Sequence, residues 1–347
     1  MKQIRTDKKV VLFGELMMRL STKRYERIVQ AREFDVLYSG AEANLGVSLA
    51  AFGVESFMVS SVPDNALGDA CLAYMRQYKL NLDYVKRNGF RLGIYFVETG
   101  AAQRPSTFLY NRKGSSITEL RPGDFDWDSI FQGKHWFHFT GITPAVADIV
   151  AEITLEACKN AKHHGLKVSC DLNFRSKLWP KEKARKVMTA LMEYVDVLFT
   201  NEDEAATVFR IAARESNVKL AKLNRHGYED VAVQLYEKFN LKYVSISLRA
   251  SRSATDNDWS AILYDGAKAY ISKTYHIDYI VDRIGGGDAY SAGIIYGLLT
   301  GQDLQETVDF AAAAGCLKHS IHGDFNLTNF DEVQALVVGG GSGRIQR

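Results

Sequence analysis

The chain has no apolar run approaching the roughly 20 residues that a membrane-spanning helix needs. Its basic N-terminus, MKQIRTDKKVVLFG, offers only VVLF as an apolar stretch. That is too short for a secretory signal and suits a buried first strand. Four cysteines, Cys71, Cys158, Cys170 and Cys316, lie far apart without a Cys-x-x-Cys pair, which argues against a zinc site or a redox motif. Reduced, buried thiols in a cytoplasmic protein are the simplest reading. Charge of one sign is also lacking. Forty-three Lys and Arg alternate with 41 Asp and Glu, so a net charge of +2 exerts no long-range pull on nucleic acid or anionic membrane. No Gly-Lys-Ser/Thr closes a Walker A loop. The first strand leads into GELMMRL, not the dinucleotide pattern G-x-G-x-x-G, which makes a nicotinamide oxidoreductase a poor reading.

What remains is an ordinary globular composition, 46% apolar and 24% charged, over 347 residues. That length suits one large α/β domain, or a large and a small one. Strand-like and helix-like segments alternate. VVLF (10–13), SFMVSSV (56–62), HWFHFTG (135–141), LKVSCDLN (166–173), DVLFTN (196–201) and LKYVSISL (241–248) read as strands. Helices are predicted over 42–52, 66–79, 145–164, 181–194, from Glu202, and over 228–239. Nearly all-apolar strands between helices indicate a mostly parallel sheet covered on both faces. Segments 15–40 and 85–112 break the alternation. GIYFVET (93–99) and STFLYNR (106–112) read as strands joined by a polar turn, a small sheet lying over a cleft as a lid. WSAILYDG and KAYISKTY (259–275) read as a hairpin at the main sheet's edge. The glycine-rich tail 338–347 is expected to fray.

The segment VDRIGGGDAYSAGIIYGLL (281–299) carries the most chemistry. Gly285, Gly286 and Gly287 run directly into a helix. Glycine amides can close around an oxyanion, and the helix start adds unpaired N–H groups and a positive dipole end. Asp288 stands there. The dipole is expected to favour its ionised form, which can accept a proton from a substrate hydroxyl. An isolated Gly-Gly-Gly-Asp is more often a turn with an acidic cap; its surroundings shift the balance.

DRIGGGDAYSAG resembles the C-terminal signature of the PfkB (ribokinase-like) carbohydrate kinases. SGAEANLGVSLAAFG (39–53) resembles that family's N-terminal glycine-and-asparagine signature, and TNEDE (200–204) its Asn-x-x-Glu motif. The likeness covers about residues 9–337. It implies a single ribokinase-like kinase domain over 1–337, a three-layer α/β/α body with a small β-sheet lid. It further implies Asp288 as catalytic base, an anion hole of Gly285, Gly286 and Gly287, and ATP with Mg2+ as cofactors. Asn201, Glu204 and Ser247, with Gly285 and Gly287, would hold the nucleotide, and Glu204 would reach magnesium through water. Residues 201 and 204 also fit a plain helix cap with a first-turn acid. A dimer or larger homo-oligomer is implied as well.

Within the family, GAEAN, YNRKGSS (110–116), HFTGITPA (138–145), DLNFR (171–175) and KHSIHGDFN (318–326) resemble the kinases of 2-keto-3-deoxygluconate. That likeness places Gly40, Asn44, Tyr95 and Tyr110 at the sugar and Arg112 and Arg175 at its carboxylate. A carboxylate in a closed pocket needs a partner, and the guanidinium fork matches it. Each arginine alone also reads as a solvated surface residue, and each tyrosine as a sheet residue. Glu15, just after the first strand, is a weaker candidate for a sugar contact. A kinase of a neutral sugar such as fructose or ribose, and a non-catalytic sugar or nucleotide sensor, remain as competing functions. His319 and His322 read as neighbours on a helix face without a metal. Two departures stand out. Arg283 could meet a nucleotide phosphate or a neighbouring loop. The stretch LRASRSATDNDWSA (248–261) reads as a polar, glycine-free turn beside the nucleotide.

Overall fold

Alternation along the first strand decides the layers. In Lys9–Phe13 (β1), Val11 and Phe13 enter one core, while Val10 and Leu12 enter the other. The computed structural model describes residues 3–4, 6–213 and 225–339. The tail beyond residue 339 lies outside the described residues, so only Val338 and Gly339 of the tail expectation are seen. The later strands are Met17–Thr22 (β2), Phe34–Ser39 (β3), Glu55–Val62 (β4), Asn81–Arg87 (β5), Gly93–Glu98 (β6), Thr107–Asn111 (β7), Trp136–Thr140 (β8), Lys167–Asp171 (β9), Val197–Thr200 (β10), Tyr243–Ser253 (β11), Asp256–Tyr264 (β12), Ala269–Ile271 (β13) and Tyr275–Asp278 (β14).

The main sheet has the order β13-β12-β11-β10-β9-β8-β1-β4-β5, with β14 pairing to β12. From β11 to β5 all neighbours are parallel; β12, β13 and β14 are antiparallel additions. Helices Ala41–Ala51, Gly286–Thr300 and Leu304–Lys318 bury their apolar faces on the Val10–Leu12 side. Helices Asp148–His163, Lys181–Met192 and Arg225–Phe239 cover the other side. This is the three-layer α/β/α body expected. No described helix is long and apolar enough to cross a membrane.

The small sheet runs β3-β2-β6-β7, from residues 17–39 and 93–111. Its second segment starts later than the expected residue 85, because β5 pairs with β4 at the main sheet's edge. The helix expected over 145–164 is broken at Ala147, whose extended backbone separates Ile142–Val146 from Asp148–His163. The stretch 248–261 is not a loop. It forms the paired ends of β11 and β12, with Arg249 opposite Trp259. The guanidinium lies 5.3 Å from that indole's centre. On β11 the polar Arg249, Ser251 and Arg252 are exposed, which is why the stretch resembles a turn in one dimension. Cys71, Cys158 and Cys170 are buried and Cys316 half-buried, and all four are free thiols.

Helix Gly286–Thr300 is apolar nearly all round because it packs between two other helices. A Cβ at Gly293 would sit 2.6 Å from the Cα of Ala311. Gly293→Ala should therefore lower stability by about 1–3 kcal/mol through overpacking, outweighing the roughly 1 kcal/mol of helix propensity gained. Denaturant unfolding checks this; an unchanged or higher midpoint contradicts the close approach.

Candidate active site

Parallel strands end together on one side, and an α/β sheet exposes its ligand-binding loops there. Gly14 and Glu15 follow β1, Asn201 follows β10, and Ser247 lies one residue past the last parallel pair of β10 and β11. The glycine loop arrives over the same edge. Gly285 has φ 83°, a backbone that L side chains avoid, and a Cβ there would overlap the carbonyl oxygen of Asp324. A Cβ on Gly286 would press on His319 at 2.6 Å, whereas one on Gly287 would meet nothing within 4 Å. The loop is thus braced from behind and open at Gly287, a cradle with room for an oxyanion at the start of helix Gly286–Thr300.

Asp288 is the first acid of that helix and is 9% exposed. Asn44, on helix Ala41–Ala51, donates to its carboxylate at 2.8 Å. Burial pushes the Asp288 pKa up to about 7, with Glu42 and Asp324 adding to the rise and Asn44 and Arg175 opposing it. The expectation that the helix dipole would leave this carboxyl readily ionised is therefore corrected: desolvation outweighs the dipole here. Glu42 is itself buried under the site, its carboxylate accepting from Thr140 N and Oγ1 at 2.9 and 2.8 Å and from Thr143 Oγ1 at 2.7 Å.

Asn201 caps helix Glu202–Phe209, its oxygen accepting from Glu204 N at 3.0 Å. Glu204 lies beside Asp171, and burial raises the pKa of each. Arg175 Nη1 is 3.9 Å from Glu204, and its charge opposes the rise at Asp171, Glu204 and Asp288 alike. Among the described residues no three His, Cys, Asp or Glu side chains converge to hold a metal directly. Two half-buried carboxylates beside one arginine nevertheless suit a hydrated divalent cation, since magnesium keeps most of its waters. Arg249 is exposed on the hairpin and lies near Glu204, Arg175 and Arg283.

The sugar-side residues separate into two groups. Gly40 caps helix Ala41–Ala51, and a Cβ there would overlap the Glu15 carbonyl oxygen, so the close approach requires glycine. Tyr95 and Tyr110 face each other across β6 and β7, with stacked rings 5.7 Å apart. Tyr110 is 41% exposed. The Tyr95 hydroxyl is already engaged, by Asp324 and by Ser39 Oγ at 2.7 Å. Arg112 is buried and ion-paired with Glu15, which also accepts from Ser115. The picture of Arg112 as a free cation awaiting a ligand needs this correction; burial left it in need of a built-in partner.

Arg283 donates to the carbonyls of Ala254 (2.8 Å) and Ser253, so it ties the hairpin tip to the anion loop. His319 is buried, its Nδ1 bonding to Gly315 O, while His322 is exposed beyond the helix end at Lys318. The two histidines do not share a helix face. Sequence reasoning missed Glu42, Asp171, Arg249 and the buried group Arg19, Asp282, Asp324 and Lys318. Arg19, on β2, meets Asp282 at 2.6 Å and also meets Asp324, fastening the small sheet to both flanks of the glycine loop. A signal existed for some: Glu42 is the lone charge of an otherwise small or apolar helix, and Lys318 follows the uncharged run AAAAGCL.

The chain matches the family described as pfkB family carbohydrate kinase at residues 7–238 and 255–328. It belongs to that family. This carbohydrate kinase is 45% identical to the 2-dehydro-3-deoxygluconokinase of Thermotoga maritima, whose crystal structure superposes with a TM-score of 0.92 over 96% of this chain and 100% of that one. It is 30% identical over 335 residues to the 2-dehydro-3-deoxygalactonokinase of Haloferax volcanii, spanning 96% of this chain and 98% of that protein. A fructokinase from Xylella fastidiosa, solved with bound ATP, shares the fold with a TM-score of 0.77 at 20% identity, covering 96% and 99% of the two chains.

The raised pKa of Asp288 has a thermodynamic consequence. An unfolded aspartate ionises near 3.9, so between about pH 4 and pH 7 the folded state holds a proton that the unfolded state has lost. Stability drains away across that window as pH rises and is fully lost above it. Asp288→Asn should therefore stabilise the protein, more at pH 8 than at pH 4.5. Chemical unfolding at the two pH values measures this; equal effects at both contradict the burial argument.

Proposed function

We propose that the kinase transfers the γ-phosphoryl group of ATP to the terminal hydroxyl of 2-keto-3-deoxygluconate or a close epimer. The single observation behind it is Asp288, buried at the mouth of a glycine cradle with a pKa near 7. A base poised near the working pH can take a hydroxyl proton as attack proceeds. In this reading the alcohol oxygen attacks phosphorus, its proton passes to the Asp288 carboxylate, and the bond to ADP breaks. Asn44 holds the carboxylate in place. The amides at Gly286 and Gly287 meet the oxygens of the transferring group. Gly285 shapes the turn that aims them.

Asn201, Glu204 and Ser247 lie along the edge where the nucleotide would sit, and Arg249 adds a cation there. Bound magnesium, reached by Glu204 and Asp171 through water, would neutralise charge on the phosphates. ATP as donor is supported by the fructokinase neighbour solved with it. The small sheet acts as the lid, with Tyr95 and Tyr110 on its strands and Gly40 and Asn44 below. Its closure limits water and so wasteful hydrolysis of ATP.

A sugar acid is favoured over a neutral sugar by the activities of the two relatives at 45% and 30% identity and by charge. Arg112 is neutralised by Glu15, so the pair suits hydroxyls, whereas Arg175 is 45% exposed in its side chain and sits at the cleft. Arg175 is thus the main partner for the carboxylate. An ADP-release assay over keto-deoxy acids and neutral sugars, with and without magnesium, tests the substrate class. Turnover confined to neutral sugars would overturn it. Arg175→Ala should weaken acid substrates far more than any neutral sugar accepted; equal losses argue against the assigned contact. Asp288→Asn should lower turnover by at least ~10²-fold, and near-normal turnover would remove the residue from the mechanism.

A further inference from the structure

Lys318 ends the helix Leu304–Lys318 after the small and apolar run AAAAGCL, and it is completely buried. Burying an ammonium is costly unless it is well satisfied. Three acids lie within electrostatic reach, Asp282 and Asp324 most strongly and Asp288 beyond them, yet Lys318 bonds to none of these carboxylates. Arg19 already meets Asp282 and Asp324. The Lys318 Nζ instead donates to two main-chain carbonyls, Ile321 O at 3.1 Å and Asp282 O at 3.4 Å. Those carbonyls lie on opposite flanks of the anion loop. Asp282 precedes Gly285 by three residues. Ile321 begins the turn that delivers Asp324, whose carbonyl oxygen packs on Gly285. A Cβ built on Gly285 would lie 3.3 Å from Lys318 Cε, so the lysine stem passes directly behind the loop. A lysine present for charge balance alone would bond to the carboxylates.

We propose that Lys318 is a positioning residue for phosphoryl transfer: its ammonium clamps segments 282–285 and 321–324 together behind the glycine loop. The clamp keeps the amides of Gly286 and Gly287 aimed at the transferring group, and its charge faces the same loop from the protein interior. Preorganised dipoles of this kind stabilise the transition state more than the ground state. The inference rests on the kinase reading above.

The test uses Lys318→Met, which keeps the volume of the stem and removes the charge. Replacing a buried charge by an apolar side chain is compatible with folding. Lys318→Gln, which keeps an N–H donor without the charge, serves if the first variant fails to fold. The expected result is a fall in kcat of about tenfold or more, with KM for ATP and for the sugar acid within about twofold of wild type. Binding of ADP with aluminium fluoride, a mimic of the transferring phosphoryl group, should weaken by a similar factor, while ADP alone binds as before. Wild-type kcat together with wild-type ADP–aluminium fluoride affinity overturns the proposal. If the wild-type protein phosphorylates no sugar acid, the substrate reading fails, while the binding comparison still decides the role of Lys318.

Discussion

The structure turns on the burial of one carboxyl group. Asp288 stands where a helix start and three glycines should favour an anion, yet the surrounding protein withholds water from it and sets other acids nearby. Desolvation works against the charge and the asparagine bond works for it. The outcome is a group that is neither a permanently charged acid nor a permanently neutral one near neutral pH. Much of the adjoining architecture follows from keeping it so. Helix Ala41–Ala51 brings both Asn44, which bonds to it, and Glu42, which repels it.

The small sheet is fastened to the body at a few buried polar groups. The small sheet meets the body through Arg19 and Tyr95, which converge on Asp324 and, for Arg19, on Asp282. Both acids flank the glycine loop. The small sheet is therefore tied to the cradle itself, and Lys318 bonds to the main chain behind the same loop. Buried polar groups of this kind demand complete satisfaction, and a partly broken network would be costly. That demand gives the sheet and the loop a shared geometry.

The body of the fold was legible because its strands are apolar and its helices amphipathic or glycine-punctuated. The cradle was legible because the glycines and their acid open a helix of small and apolar residues and stand in one chain with SGAEAN and TNEDE, whereas Gly-Gly-Gly-Asp alone is an ordinary capped turn. Less could be read where a residue's partner is distant in sequence. Arg112 looks like a free cation until Glu15, 97 residues away, is placed beside it. The hairpin tip at 248–261 is rich in polar residues, so its pairing with the partner strand is invisible to local pattern. The ionisation of Asp288 was misjudged for the same reason. The dipole is local and readable, whereas burial by the rest of the fold and the charges of Glu42 and Asp324 are not.

The account depends most on the proton affinity of Asp288. Carbon-13 NMR of protein labelled at aspartate carboxyl carbons, with Asp288→Asn used to identify the resonance, measures it without reference to substrate or turnover. A titration midpoint near 7 is the result expected from the buried environment. A midpoint near 4, the value of a solvated aspartate, would contradict it.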